Sequence, residues 1–183
     1  MKIAHSHVIL DACCIINLAA SGHLRAILQS IPAQVAGTQV VQEEELKTLL
    51  ILEEGENEAA IEFEQAMIQG LVIIVDFESD AEAELFVNYA ALLDDGESAT
   101  CAIALYRGWA IATDDKKAIA LMKREASHLQ MFSTLQIIKH WAEKTALDAS
   151  ALRETLNAIR FKGRYLPPKS DPLRGWWEKS LSV

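Results

Sequence analysis

Short apolar runs alternate along the chain with longer stretches in which apolar residues recur every three to four positions. The apolar runs predict strands at residues 8–10, 33–36, 71–75, 109–112 and 129–132. The periodic stretches predict helices at residues 14–20, 23–30, 40–54, 56–68, 81–92, 97–106, 116–125, 133–144 and 150–159. After the last helix we expect only a turn and a Pro-Pro break. Strands that alternate with helices and are uniformly apolar predict a three-layer α/β/α sandwich with a short, mostly parallel central sheet.

Individual side chains give further local predictions. Thr38 and Ser133 each precede a helical stretch and are expected to cap it. Glu82 and Glu84 are expected to point outward from the helix over 81–92, and Cys101 is expected to be a small core residue.

The composition fits a soluble globular chain and excludes several other classes. The 183 residues are 51% hydrophobic, with 8 Gly, 4 Pro and 3 Cys, which argues against a disordered, fibrous or disulfide-stapled protein. No uncharged apolar run approaches the roughly 18 residues of a membrane span, and the first residues lack a signal-peptide core. An odd number of cysteines, two of them adjacent, favours reduced thiols, so we expect a cytoplasmic protein without a membrane contact.

Charge is distributed unevenly along the chain. The net charge is −9, but residues 153–183 carry 7 basic and 3 acidic side chains. Basic and aromatic residues alternate in this tail, which leaves two interpretations open. The tail either contacts phosphates or packs its aromatic rings on the body of the protein.

Carboxylates directly follow two of the predicted strands. Asp11 follows the first, and Thr113-Asp114-Asp115 follow the fourth. Parallel α/β sheets bind ligands outside the carboxyl ends of their strands. Either aspartate could instead serve only as a helix N-cap.

Two further acidic positions extend this candidate site. Glu97 opens a helix whose other face is small and apolar, and residues 43–45 are three consecutive glutamates. If the fold brings these acids together, like charges require a counter-charge, and oxygen ligands favour Mg²⁺ or Mn²⁺. Such an ion can activate a water for phosphodiester hydrolysis.

Three segments resemble PIN domains. Residues 10–18 (LDACCIINL) are similar to the opening strand, aspartate and apolar helix of that family. Residues 96–105 (GESATCAIAL) resemble its Gly-Glu and Ala-rich helix, and residues 109–118 (WAIATDDKKA) resemble its strand followed by Thr-Asp-Asp. The resemblance is closest to the VapC-like metal-dependent ribonucleases, in the branch with a short C-terminal helical extension. It implies a nuclease domain over 1–145 and a helical extension with a basic, aromatic tail over 146–183.

The resemblance also implies roles for individual residues. Asp11, Glu97 and Asp115 would hold Mg²⁺ or Mn²⁺, with Asp114 as a second candidate beside Asp115. The second acid of the family would be Glu43, with Glu44 as the next choice. Thr113 and Asn17 would be polar groups that orient the acids, while Cys13 stands where the family more often has a hydroxyl.

The implied function is hydrolysis of RNA phosphodiester bonds by a metal-activated water. We expect the toxin half of a toxin–antitoxin pair, with an RNA substrate, a small antitoxin as partner and a homodimeric state. The alternative is a non-catalytic interaction or regulatory module on the same fold, which the net charge of −9 favours.

Overall fold

The computed structural model describes residues 1–46 and 58–182, and over these residues the chain forms a central parallel sheet with helices around it. The strands are β1 (His7–Leu10), β2 (Gln34–Thr38), β3 (Val72–Val75), β4 (Ala110–Ala112) and β5 (Met131–Phe132). Their order across the sheet is β3-β2-β1-β4-β5, and each neighbouring pair is parallel. The predicted strand positions are confirmed to within two residues.

The helices of the described residues match most of the predicted periodic stretches. They are α1 (Ala12–Ala20), α2 (Leu24–Ser30), α3 (Glu58–Ile68), α4 (Asp80–Ala90), α5 (Asp95–Arg107), α6 (Lys116–Glu125), α7 (Thr134–Lys144), α8 (Ala149–Phe161) and α9 (Arg174–Ser182). The start of the helix predicted over 40–54 is instead a π-helical segment (Val41–Leu46), and residues 47–54 lie outside the described part of the chain. Thr38 caps this segment by accepting from Val41 N at 3.0 Å, and Ser133 caps α7 with a full capping box.

Both faces of the sheet are covered, as its apolar strands require. Successive strand residues point to opposite faces, so Val8 and Leu10 join one hydrophobic core and Ile9 joins the other. β4 divides in the same way, with Ala110 and Ala112 in the first core and Ile111 in the second. This arrangement confirms the three-layer α/β/α sandwich.

The C-terminal tail contributes to the first of these cores. Tyr165 and Trp177 are both buried, and their rings meet edge to face with centroids 5.8 Å apart. Helix α9, which carries Trp177, was not predicted, although Leu173, Trp176, Trp177 and Leu181 recur at helical spacing and pack in this core. Phe161 differs from these rings, since it remains 70% exposed. The tail therefore docks Tyr165, Trp176 and Trp177 and leaves Phe161 in solvent.

The prediction for Glu82 was wrong, because this side chain is fully buried rather than outward. Arg107, in the last turn of α5, donates to Glu82 Oε1 at 2.6 Å and to Oε2 at 3.0 Å. These charge-assisted bonds hold the pKa of Glu82 below its usual range. Glu84 is exposed as expected. The error arose because the partner of Glu82 lies 25 residues away, beyond any local pattern.

No helix in the described ranges is both long enough and apolar enough to cross a membrane.

Replacing Arg107 by Met is expected to lower the free energy of unfolding by about 3 kcal/mol, because it leaves the buried Glu82 carboxylate without its cationic partner. Urea unfolding at pH 7 measures this loss. The stabilisation is present above the ordinary glutamate pKa and disappears as the pH falls through the lowered pKa of Glu82.

The exposed Lys139–Glu143 pair provides the control, since Lys139→Met should cost less than about 1 kcal/mol. Equal losses for Arg107→Met and Lys139→Met would contradict a structural role for the buried pair.

Candidate active site

The pairing of β1 with β4 brings Asp11 and Thr113 side by side. Leu10 is in register with Ala112, and Asp11 N continues the ladder by donating to Ala112 O at 3.0 Å. Thr113 directly follows the last residue of β4. Its hydroxyl donates to Asp11 Oδ2 at 2.8 Å. Thr113 therefore orients the carboxylate of Asp11, as expected for it.

Asp11 is 3% exposed and is held by three neighbours. Its Oδ1 accepts from Ala12 N at 2.8 Å, which caps α1, and the thiol of Cys13 lies 3.2 Å from Oδ2. Burial raises the pKa of Asp11, while the hydrogen bonds from Cys13, Thr113 and Ala12 oppose the increase. The N-cap role is thus confirmed, and it occupies one of the two carboxylate oxygens.

Glu97 is partly buried in the first turn of α5, which begins at the N-cap Asp94. Burial, followed by the charges of Asp94, Asp115 and Asp11, raises the pKa of Glu97 to about 7. Three of the predicted acids therefore share one electrostatic environment. Asp94 belongs to the same environment and was not among the predicted acids. The signal for Asp94 was its position three residues before Glu97, whose backbone N–H donates to Asp94 Oδ1 at 2.8 Å.

Asp115 is the N-cap of α6, with Oδ1 accepting from Lys117 N at 2.6 Å and Ala118 N at 2.9 Å. Its own N–H donates to Thr113 Oγ1 at 3.1 Å, so one hydroxyl links Asp115 to Asp11. We call Asp11, Asp94, Glu97 and Asp115 the acid site. Asp11, Asp94 and Asp115 cap α1, α5 and α6, so three helix N-termini place partial positive charge beside these carboxylates.

Asp114 forms contacts different from those of the acid site, although it is adjacent to Asp115. Its Oδ1 accepts from Thr134 N at 3.1 Å and from the Tyr165 hydroxyl at 3.4 Å. Asn17, expected to orient the acids, donates to Asp114 Oδ2 at 3.4 Å. Burial raises the pKa of Asp114. Asp114 therefore connects α1, α7 and the C-terminal tail, and these contacts use both of its oxygens.

A second set of potential metal ligands lies beside Asp114. Cys13, Cys14 and Asp114 have ligand atoms within 4.8 Å of one another, which makes them the one such group among the described residues. Burial raises the pKa of the Cys14 thiol well above its usual value. Cys101, one helical turn after Glu97, is buried as predicted, and burial also raises its pKa.

Glu43 is exposed on the π-helical segment, and its Oε1 accepts from Gln39 Nε2 at 2.8 Å. No contact among the described residues joins Glu43 to Asp11, Glu97 or Asp115. The side chain of Glu44 lies outside the described part of the structure. Asp11, Glu97 and Asp115 thus share one electrostatic environment, Thr113 bonds to both aspartates, and the segment that carries Glu43 packs against α1 and α5.

The family model DUF3368, described as a PIN domain, matches residues 7–170. No curated protein matches the chain.

Replacing Glu97 by Gln is expected to stabilise the metal-free protein at pH 8 by on the order of 1 kcal/mol, discounted for solvent screening. The raised pKa of Glu97 means that its charge opposes folding as the pH rises toward and through about 7. At pH 4 the carboxyl of Glu97 is protonated and is as uncharged as the glutamine amide that replaces it. The variant and the wild type should therefore be equally stable at pH 4. Thermal unfolding in a chelator at both pH values measures the difference.

Glu84→Gln, at an exposed position of α4, is the control and should show no such pH dependence. A stability difference between Glu97→Gln and the wild type that is the same at pH 4 and pH 8 would argue against the charge coupling of the acid site.

Proposed function

The chain belongs to the PIN-domain family, and from this premise we propose that it is a divalent-metal-dependent endoribonuclease. PIN domains are generally nucleases that use divalent metals. The observation that carries the proposal is the grouping of Asp11, Glu97 and Asp115 at the carboxyl edge of the sheet, where burial and then the charges of Asp94, Asp115 and Asp11 raise the pKa of Glu97. This is the edge at which parallel α/β sheets bind ligands.

The donor set of the acid site fits a hard divalent cation. Asp11, Glu97 and Asp115 would hold the ion, because they supply carboxylate oxygens whose repulsion a cation would relieve. Mg²⁺ and Mn²⁺ are the ions that we propose. Asp114 is the weaker candidate ligand, since Asn17, Thr134 and Tyr165 already occupy its oxygens. When bound, such an ion supplies an activated water and neutralises charge on a phosphate group.

Side chains of the protein would hold the acids in position for this hydrolysis. Thr113 fixes Asp11 Oδ2 and contacts the backbone of Asp115, so the two acids keep their spacing without an ion. Glu43 is proposed to complete the ligand shell or to accept the proton from the attacking water, with Glu44 as the alternative. The exposure of Glu43 supports a role on the solvent side of the site.

The biological setting is also a proposal. We place the chain as the toxin of a toxin–antitoxin pair in the cytoplasm, where its three unpaired cysteines would remain reduced. A homodimer is supported by exposed apolar side chains on and beside the packed helices α4 and α5, namely Val87, Leu92 and Tyr106.

One observation favours the alternative of a non-catalytic module. Asp11, Asp94 and Asp115 each cap a helix, so each has a structural role that needs no metal. Metal-dependent cleavage distinguishes the two functions.

Asp11→Asn is expected to reduce Mg²⁺- or Mn²⁺-dependent cleavage of single-stranded RNA by roughly 100-fold or more, because the variant loses an anionic ligand. The asparagine retains a side-chain oxygen for the Ala12 N–H, so α1 keeps its cap. Cleavage of a labelled RNA with and without a chelator measures the loss.

Asp148→Asn is the matched control, since Asp148 caps α8 through Ala151 N and lies outside the acid site. Equal cleavage by Asp11→Asn and the wild type, or cleavage that survives the chelator, would exclude the proposed mechanism.

A further inference from the structure

A turn of the C-terminal tail packs against the helix that carries part of the site. A Cβ placed on Gly163 would lie 2.9 Å from Asn17 Oδ1 and 3.2 Å from Ala20 Cβ, so a larger residue would collide with α1. Two residues later the hydroxyl of Tyr165 reaches Asp114 Oδ1 at 3.4 Å. Asp114 directly precedes Asp115 of the acid site, so the turn contacts the residue that adjoins that site in the chain.

The same turn presents positive charge to solvent. Lys162 and Arg164 are exposed, and neither forms an ion pair within residues 1–46 and 58–182. Arg164 has φ +51, in the left-handed region where a side chain is strained. With this left-handed conformation at Arg164, the side chain of Tyr165 enters the core. Arg164 and Leu166, on either side of it, stay exposed. The docked ring thus fixes the exposed guanidinium of Arg164 beside a residue that contacts Asp114.

An exposed aromatic ring adjoins these cations. Phe161, at the last position of α8, is 70% exposed, and the Arg160 guanidinium lies 5.4 Å from the centre of its ring. An exposed ring with a cation beside it is the combination that stacks unpaired bases in single-strand-binding proteins. We call Arg160, Phe161, Lys162 and Arg164 the basic edge.

We propose that the basic edge binds single-stranded nucleic acid and guides it to the acid site, with Lys162 and Arg164 on the phosphates and Phe161 stacked on a base. This inference rests on the proposed function for its substrate class. A nucleic acid needs a basic surface in order to approach this chain, because a protein with net charge −9 and a cluster of carboxylates repels a polyanion. The segment 153–183, with 7 basic and 3 acidic residues, supplies the opposing field. A duplex would hide the base faces that Phe161 needs, so single strands are favoured.

Binding of a labelled single-stranded RNA 12-mer, followed by fluorescence anisotropy across a salt series, tests the phosphate contacts. The Asp11→Asn background prevents cleavage during the measurement. Lys162→Ala/Arg164→Gly removes both cations, and glycine at position 164 relieves the left-handed strain, so weaker binding cannot be attributed to a strained backbone. We expect a loss of affinity of about tenfold and a decrease of about 1.4 in the slope of log affinity against log salt.

The matched control is Lys2→Ala/Lys123→Ala, which removes two exposed cations that lie outside the segment 153–183. Its affinity and salt slope should stay near those of the Asp11→Asn parent. Equal effects of the two double variants would overturn the inference, because they would show attraction by net charge alone.

Phe161→Ala tests stacking separately. It should weaken binding of the single strand about fivefold without changing the salt slope, since a ring carries no charge. Binding of a duplex of the same sequence should be unaffected. If Phe161→Ala instead changes the molar mass by light scattering and leaves RNA affinity intact, the ring covers a protein interface and the inference is overturned.

The outcomes separate this inference from the proposed function. If the wild type cleaves no RNA but the basic-edge variants weaken binding as described, the nuclease proposal fails and the binding edge stands. If the wild type cleaves in a metal-dependent way but the basic-edge variants bind like the control, only the inference fails.

Discussion

The parallel pairing of β1 with β4 is the constraint on which the site depends. Parallel strands end at the same edge, so the residues after Leu10 and Ala112 necessarily meet, and Asp11 comes within hydrogen-bond distance of Thr113. The helices that follow these strands begin at the same edge. Their N-caps are aspartates, and a third capped helix, α5, adds Asp94 and Glu97. The topology therefore concentrates negative charge in one place, and the helix N-termini partly compensate for it.

This concentration of charge is the reason for proposing a cation at the acid site. The N–H groups of Ala12, Glu97 and Ala118 each satisfy one oxygen of a capping aspartate, and Thr113 supports a second oxygen of Asp11. The described contacts of the acid site include no cationic side chain, whereas the buried Glu82 has Arg107. Glu97 accordingly has a raised pKa and Glu82 a lowered one. A divalent ion would remove this difference without any change in the fold.

Asp114 and Asp115 are adjacent in sequence but have different structural roles. Asp115 caps α6 in the acid site, while Asp114 binds groups from α1, α7 and the tail. Because Tyr165 contacts Asp114, the position of the basic edge is coupled to the end of β4. A tail that docks through Tyr165 and Trp177 is thus part of the site's surroundings and not a separate appendage to it.

Much of this arrangement was predictable from local patterns in the sequence. Apolar runs that end in Asp11 and in Thr113-Asp114-Asp115 predicted the strands and the parallel sheet, and they left open whether the acids come together. The burial of Glu82 needed information that no local pattern holds, because it depends on Arg107, 25 residues away. Helix α9 was overlooked, although Leu173, Trp176, Trp177 and Leu181 recur at helical spacing and pack in the first core. The π-helical segment from Val41 was not predicted either, since an α-helix was expected there.

The most direct measurement is anomalous diffraction from crystals of the wild-type chain grown with Mn²⁺. The acid site predicts a manganese peak coordinated by carboxylate oxygens of Asp11, Glu97 and Asp115. A peak held instead by Cys13, Cys14 and Asp114, or the absence of any peak at the carboxyl edge of β1 and β4, would contradict a metal site formed by these acids.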